Sequence, residues 1–178
     1  MHIASQCLTM RPVSLSDVGD LFRIYGDPAS HTFNPTGVYP DIAHAHRVME
    51  RWLTHWQEHA FGNWAIALRE APARVIGFGG LTLSTYAGIK MNNLGYRFAT
   101  EVWGQGLATE FSQYSLRYGF EQLQLNEISA VVRPQHQASQ KVLIESGLNY
   151  SGGINDIVDA EPSLLFRLSH PDWLNLHS

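Results

Sequence analysis

The octapeptide Trp103-Gly104-Gln105-Gly106-Leu107-Ala108-Thr109-Glu110 is the stretch of this chain best suited to hold a phosphate. It lies where an extended segment gives way to a helical apolar pattern. The first turn of a helix has unpaired N–H groups and a partial positive charge, and both favour phosphate. Small residues let a bulky diphosphate approach the backbone, and Gly104, Gly106 and Ala108 supply them. A tight turn with no ligand would use the same glycines. A dinucleotide fingerprint is also approximated, by Gly104-x-Gly106-x-x-Thr109, although its third small residue is a threonine. About four residues separate strand from glycine, where that fingerprint follows its strand directly, and the next strand ends in Arg133-Pro134 instead of an acidic residue. The arginine would suit a 2′-phosphate, so a dinucleotide-dependent reductase stays open.

Nine histidines raise the question of a metal. His44 and His46 point to different faces of an expected helix. His55 and His59 share a face at a ligand-compatible spacing, but Trp56, Gln57 and Glu58 between them do not make a zinc signature. They read as solvated helix residues, and no metal site is expected. Cys7 is the only cysteine, so neither an intrachain disulfide nor a multi-cysteine site can form. It is expected to be a small, half-buried hydrophobe.

These residues need a scaffold. The chain has 178 residues, 44% of them hydrophobic and 16% charged, the balance of a globular domain with a substantial core. Its formal net charge of -4, with no run of Lys and Arg, gives no footprint for nucleic acid. No apolar run reaches the roughly 18 residues that a bilayer requires, and no secretory signal is visible at the N-terminus. A cytoplasmic location is expected, with no membrane partner.

Leu8, Met10 and Pro12 open a short strand, and Ser14 is placed to cap a helix over 15–26. The segment 27–40 holds three prolines and reads as a loop. Asp41 should cap a second helix with an apolar stripe of Ala45, Met49, Trp52 and Trp56. Trp64, Ile66 and Leu68 alternate, 70–74 supplies a turn containing Pro72, and 75–83 is extended again. A strand over 93–99 leads into the glycine loop. A third helix follows from Leu107, with Leu107, Phe111, Tyr114 and Tyr118 on one face. A strand over 128–132 and a helix over 137–146 come next, with Gly147 where a left-handed cap belongs. Strands over 148–152 and 163–168 finish the chain. No repeat or linker divides it, so one α/β domain over 1–178 is expected, a mixed central sheet of about seven strands with about four flanking helices.

With these motifs in order, the sequence resembles the GNAT superfamily of N-acetyltransferases. That family binds the CoA pyrophosphate with Gln or Arg, two residues, Gly, one residue, then Gly or Ala; Gly106 and Ala108 fill the last two places, and Trp103 stands at the first. The Trp-Gly-x-Gly-x-Ala-Thr-Glu version looks like the Rim-type branch, which acts on ribosomal-protein N-termini. The likeness extends to Arg11, Gly95-Tyr96, and Glu145 through Leu148. It implies a sheet splayed between its fourth and fifth strands, acetyl-CoA as cosubstrate and an amine acceptor. Cofactor contacts are implied at Gly104, Gln105, Gly106, Leu107, Ala108 and Thr109. Phe98 and Ala99, within the strand segment Tyr96–Ala99, would lie along the pantetheine, whose amides can pair with exposed strand groups.

The resemblance also marks departures. Many relatives protonate the leaving thiolate with a tyrosine, and its place here is Leu143. The Rim-like branch has Asn-x-x-Ser at the head of that helix, matched here by His136-Gln137-Ala138-Ser139. Ser139 is therefore implied both as a cofactor contact and as the catalytic group for the departing sulfur. His136 stands where an asparagine would touch the cofactor. The usual glutamate base has become Asn93, and Glu161 is one acid that could serve instead. Direct transfer in a ternary complex to a protein N-terminal α-amine is the leading expectation. Small amines, drawn by Asp156, Asp159 and Glu161, and a non-catalytic CoA sensor are the alternatives. The segment 27–40, with Phe33 and Tyr39, is expected to shape the acceptor pocket. A homodimer is compatible with all of this.

Overall fold

The computed structural model describes residues 3–31, 37–156 and 160–178. Among them, eight strands form one mixed, open sheet in the order β1-β2-β3-β4-β5-β6-β8-β7. They are β1 (Ile3–Ala4), β2 (Leu8–Pro12), β3 (Asn63–Leu68), β4 (Ala71–Tyr86), β5 (Ile89–Phe98), β6 (Glu127–Val132), β7 (Asn149–Ile154) and β8 (Ser163–Ser169). Five helices accompany them: α1 (Val18–Tyr25), α2 (Ile42–His59), α3 (Leu107–Arg117), α4 (Gln137–Glu145) and α5 (His170–Leu176). The expected α/β architecture is present with one strand and one helix more. β1 is too short to carry a period. For α5 the capping signal exists, since Ser169 Oγ accepts the Asp172 N–H at 3.2 Å and a proline stands in the first turn. Apolar periodicity does not announce it, because Trp173 is its buried residue. No helix among the described residues is long and apolar enough to cross a membrane.

The chain divides into two compact units, Met1–Gly80 with Tyr96–Ala108, and Leu81–Gly95 with Thr109–Ser178. In the first, β2 pairs antiparallel with β3 from Leu8↔Leu68 to Pro12↔Trp64. Ala45, Val48 and Met49 of α2 are buried in a core with Leu21, Ile24 and Phe78, and Trp52 and Trp56 pack on its margin. Asp41 caps α2 as expected, its Oδ1 accepting the His44 N–H at 2.8 Å. A 3-10 turn, Leu15–Asp17, precedes α1. Its buried Asp17 takes two hydrogen bonds from Arg11, at 2.7 and 2.8 Å, and one from the Ser14 N–H at 2.9 Å. Burial pushes the Asp17 carboxyl up, but these donors prevail and hold it below its ordinary value.

The β3–β4 turn is tighter than the sequence suggests. Arg69 and Glu70 alone separate the strands, and Pro72 belongs to β4. Register shifts there, with Ala67 opposite Val75 but Leu68 opposite Ala71. Such an irregularity is where a strand tolerates a residue with no N–H. In the segment 27–40, Pro28–His31 form a 3-10 turn, and Phe33 lies outside the described residues.

In the second unit, β5 begins earlier than expected because Ala87 (φ 49°) and Gly88 (φ 82°) form a left-handed two-residue tip after β4. β5 runs parallel to β6, in register at Asn93↔Ser129. β6 is zipped antiparallel to β8 from Glu127↔Ser169 to Val132↔Leu164. The short parallel pairing is where the sheet splays. β7 lies outside β8, with an irregular register between Tyr150 and Gly153. The buried face of α3 departs from expectation: it passes from Leu107 and Phe111 to Ser112, Ser115 and Leu116. Tyr114 and Tyr118 are half-buried and stack on each other at 6.5 Å. The helix widens into a π turn at Tyr118–Gln122. There a side chain on Gly119 would meet Ile128 Cδ1 at 2.6 Å and Leu81 Cδ1 at 2.8 Å.

Candidate active site

The glycine loop is assembled from the end of β5. The Ala99 N–H donates to the Ile76 carbonyl at 2.8 Å, a 3-10 turn spans Thr100–Val102, and the Trp103 N–H returns to the Thr100 carbonyl at 3.1 Å. Gly104 (φ 81°) and Gly106 (φ 76°) then adopt left-handed backbone before α3 starts at Leu107. A Cβ on either would meet nothing within 4 Å. Backbone conformation, not crowding, thus requires glycine here, and the space beside it is open. Gly104, Gln105 and Gly106 are exposed, Leu107 is buried and anchors the helix, and Ala108 and Thr109 are half-buried in its first turn. Two braces hold the loop from outside. The Trp103 Nε1–H donates to the Phe98 carbonyl at 2.9 Å. Glu101 accepts from Arg74 at 2.7 and 2.8 Å and from Arg23 at 3.3 Å.

Phe98 and Ala99 are both buried. The Phe98 ring lies against β4 where Gly77 has no side chain; a Cβ there would meet Phe98 Cδ1 and the Arg97 carbonyl, each at 2.8 Å. The Phe98 carbonyl and the Ala99 N–H are therefore committed within the protein.

The segment that could touch an acceptor in the first unit is anchored by residues that no local motif announces. Arg97 Nη1 donates to the Ser30 carbonyl at 2.6 Å, and the guanidinium lies over the Tyr25 ring, 5.1 Å from its centre. Tyr39 donates its backbone N–H to the Tyr25 carbonyl at 3.0 Å, with the two rings 5.2 Å apart. Burial pushes the Tyr25 phenol up to about 12 and raises that of Tyr39 as well, so both stay protonated at neutral pH.

In the second unit, His136 immediately precedes α4 and Ser139 sits in its first turn, both half-buried. Gln140 fixes this helix head by donating to the Pro134 carbonyl at 2.8 Å. Arg133 Nη1 donates to the Glu161 carbonyl and to Ser163 Oγ, each at 2.9 Å, and Ser163 Oγ donates to Asp156 Oδ1 at 2.7 Å. The Glu161 carboxylate accepts from Gln135 at 3.1 Å. Asp156 and Glu161 thus tie the approach to β8 against the approach to α4, while Asp159 lies outside the described residues. Leu143 is buried, and its apolar side chain has no proton to donate to a leaving thiolate. Asn93 is buried opposite Ser129, and its Oδ1 has no partner among the described residues.

His55 uses Nδ1 on the Phe61 carbonyl at 2.8 Å, with the His59 ring 4.5 Å away, and burial lowers its pKa. Among the described residues, no three His, Cys, Asp or Glu side chains converge. Cys7 is exposed in the bend between β1 and β2, and is not the half-buried hydrophobe expected, because Leu8 takes the buried place.

Residues 8–149 match the acetyltransferase (GNAT) domain model. The uncharacterized N-acetyltransferase p20 of Bacillus licheniformis is 27% identical over 158 residues, covering 89% of this chain and 88% of its own. An acetyltransferase structure from Agrobacterium tumefaciens superposes with a TM-score of 0.78 at 24% identity, covering 94% of each chain. Mycobacterium smegmatis RimJ, solved in complex with CoA-disulfide, superposes with a TM-score of 0.75 at 20% identity, covering 96% of this chain and 89% of that one. These neighbours share the fold. The chain belongs to the GNAT family of N-acetyltransferases.

Proposed function

We propose that the chain, working as one domain over 1–178, transfers the acetyl group of acetyl-CoA directly to a protein N-terminal α-amine in a ternary complex. The open-sided, left-handed turn at Gly104 and Gly106, leading into the first N–H groups of α3, is the observation that carries this reading. Those N–H groups would hold the diphosphate. Leu107 would anchor the turn from below, with Gln105, Ala108 and Thr109 beside the phosphates. The end of β5, with Phe98 and Ala99, would border the pantetheine, and His136 would add a contact from the head of α4.

In the transfer the amine nitrogen bonds to the thioester carbon, the carbon–sulfur bond breaks, and the nitrogen gives up a proton to solvent. The sulfur leaves as thiolate, and the Ser139 hydroxyl is the group assigned to donate to it. Asn93 cannot take the proton from the amine, and this favours an acceptor that is already partly neutral. An α-amine, with a pKa of roughly 7.7–8.0, meets that condition near neutral pH, whereas a lysine near 10.4 does not. Arg133, 4.0 Å from Asp156, offsets that carboxylate, which leaves Glu161 as the exposed acid that could draw a polyamine in the rival reading.

The test is a thiol-release competition among peptides with free and blocked N-termini, each containing an internal lysine, alongside spermidine and aminoglycosides. Turnover concentrated on the free N-terminus supports the reading. Equal acetylation of the blocked peptide's lysine, or a preference for the small amines, defeats it.

A further inference from the structure

We infer that Trp103 is the positioning residue of the diphosphate loop, its indole N–H fastening the start of the left-handed turn to the last carbonyl of β5. This rests on the reading of Gly104–Thr109 as the diphosphate site.

Trp103 is 50% exposed, so burial does not fix this large ring. What fixes it is polar. Nε1 donates to the Phe98 carbonyl at 2.9 Å, while the same residue's backbone N–H bonds to Thr100 at 3.1 Å. Side chain and main chain together close a small loop from Phe98 to Trp103, and Gly104 turns left-handed at the next residue. The other brace, Glu101 with Arg23 and Arg74, consists of side chains more than a third exposed. Exposed ion pairs contribute little rigidity. The indole bond, to a partly buried carbonyl, is therefore the principal side-chain restraint on the turn.

The same geometry explains the tryptophan. Indole Nε1 and the amide nitrogen of glutamine lie the same number of bonds from Cα. Trp103 can thus present a donor where the related pattern has glutamine, with the donor directed into the protein.

Two variants separate the N–H from the ring: Trp103→Phe keeps an aromatic ring and loses the donor, and Trp103→Gln keeps a donor and loses the ring. Each is assayed with acetyl-CoA and with S-acetylpantetheine, a thioester that lacks the diphosphate, and its melting midpoint is recorded. In Trp103→Phe the KM for acetyl-CoA should rise about fivefold to tenfold, the loss of one hydrogen bond's worth of preorganisation, with kcat nearly unchanged. Trp103→Gln should stay near the parent, and neither variant should alter kcat/KM for S-acetylpantetheine. An unchanged KM in Trp103→Phe, or an equal loss with both thioesters, overturns the assignment. A parent enzyme that uses both thioesters equally well overturns the diphosphate reading itself, and the assignment with it.

Discussion

Gly106 and Gly147 occupy left-handed turns at opposite kinds of helix end, the head of α3 and the tail of α4, with φ of 76° and 102°. Beside Gly147 the space is taken by Leu176. Leu148 N–H bonds to the Leu143 carbonyl and Gly147 N–H to that of Ile144, both at 3.0 Å, the double closure of a Schellman cap. A Cβ there would lie 2.5 Å from Leu176 Cδ1. Beside Gly106 a Cβ would meet nothing. The backbone requirement is the same, and the surroundings are opposite. A positive φ marks a turn in both places; what differs is the space beside it, open at the head of α3 and taken by Leu176 at the tail of α4.

That contrast can be broken most directly at Gly106. Gly106→Glu puts a bulky carboxylate where phosphate is expected, and calorimetry should register at least a tenfold loss of CoA affinity, about 1.4 kcal/mol. Undiminished affinity would reduce the turn to a cap like the other. Gly147→Ala should do the reverse, costing about 1–2 kcal/mol of unfolding free energy through its left-handed backbone. Denaturant titration measures that cost, and CoA affinity per folded molecule should not move. A fall in affinity there would erase the distinction between the two turns. The smallest effect is expected at the head of α4, where Ser139→Ala should lower kcat about fivefold while acetyl-CoA binding stays constant, since a bond to sulfur strengthens as charge develops. A shifted melting midpoint with unchanged turnover would make Ser139 a helix-head residue only.

The legible parts of this chain were those set by local backbone chemistry. Asp41 as a cap, Gly147 as a terminator and the glycines before Leu107 each depend on a few neighbouring residues, and all stand where expected. The pattern misled where tertiary packing overrides local period. Periodicity puts Tyr114 and Tyr118 on the inner face of α3, but the buried face runs through Phe111, Ser112, Ser115 and Leu116 and continues at Gly119 and Phe120 in the π turn. Pro72 reads as a turn, yet an irregular register lets a strand hold it. The cluster of Arg97, Tyr25 and Tyr39 has no sequence signature, since it joins three segments that are distant in the chain. At the α4 head the residue types were visible, while the tie from Arg133 through Ser163 to Asp156 was not.

The two outermost strands bear on how the protein behaves when concentrated. A long, flat strand at the margin of a sheet offers a row of unpaired amides to any other chain and so seeds aggregation. Here one margin is β1, only two residues long, and the other is β7, broken by the irregularity between Tyr150 and Gly153, with Gly152 at φ 111°. One border is too brief to template a partner strand, and the other is bent out of the line that a partner would need. Both borders of the sheet thus carry features that work against edge-to-edge pairing with another chain.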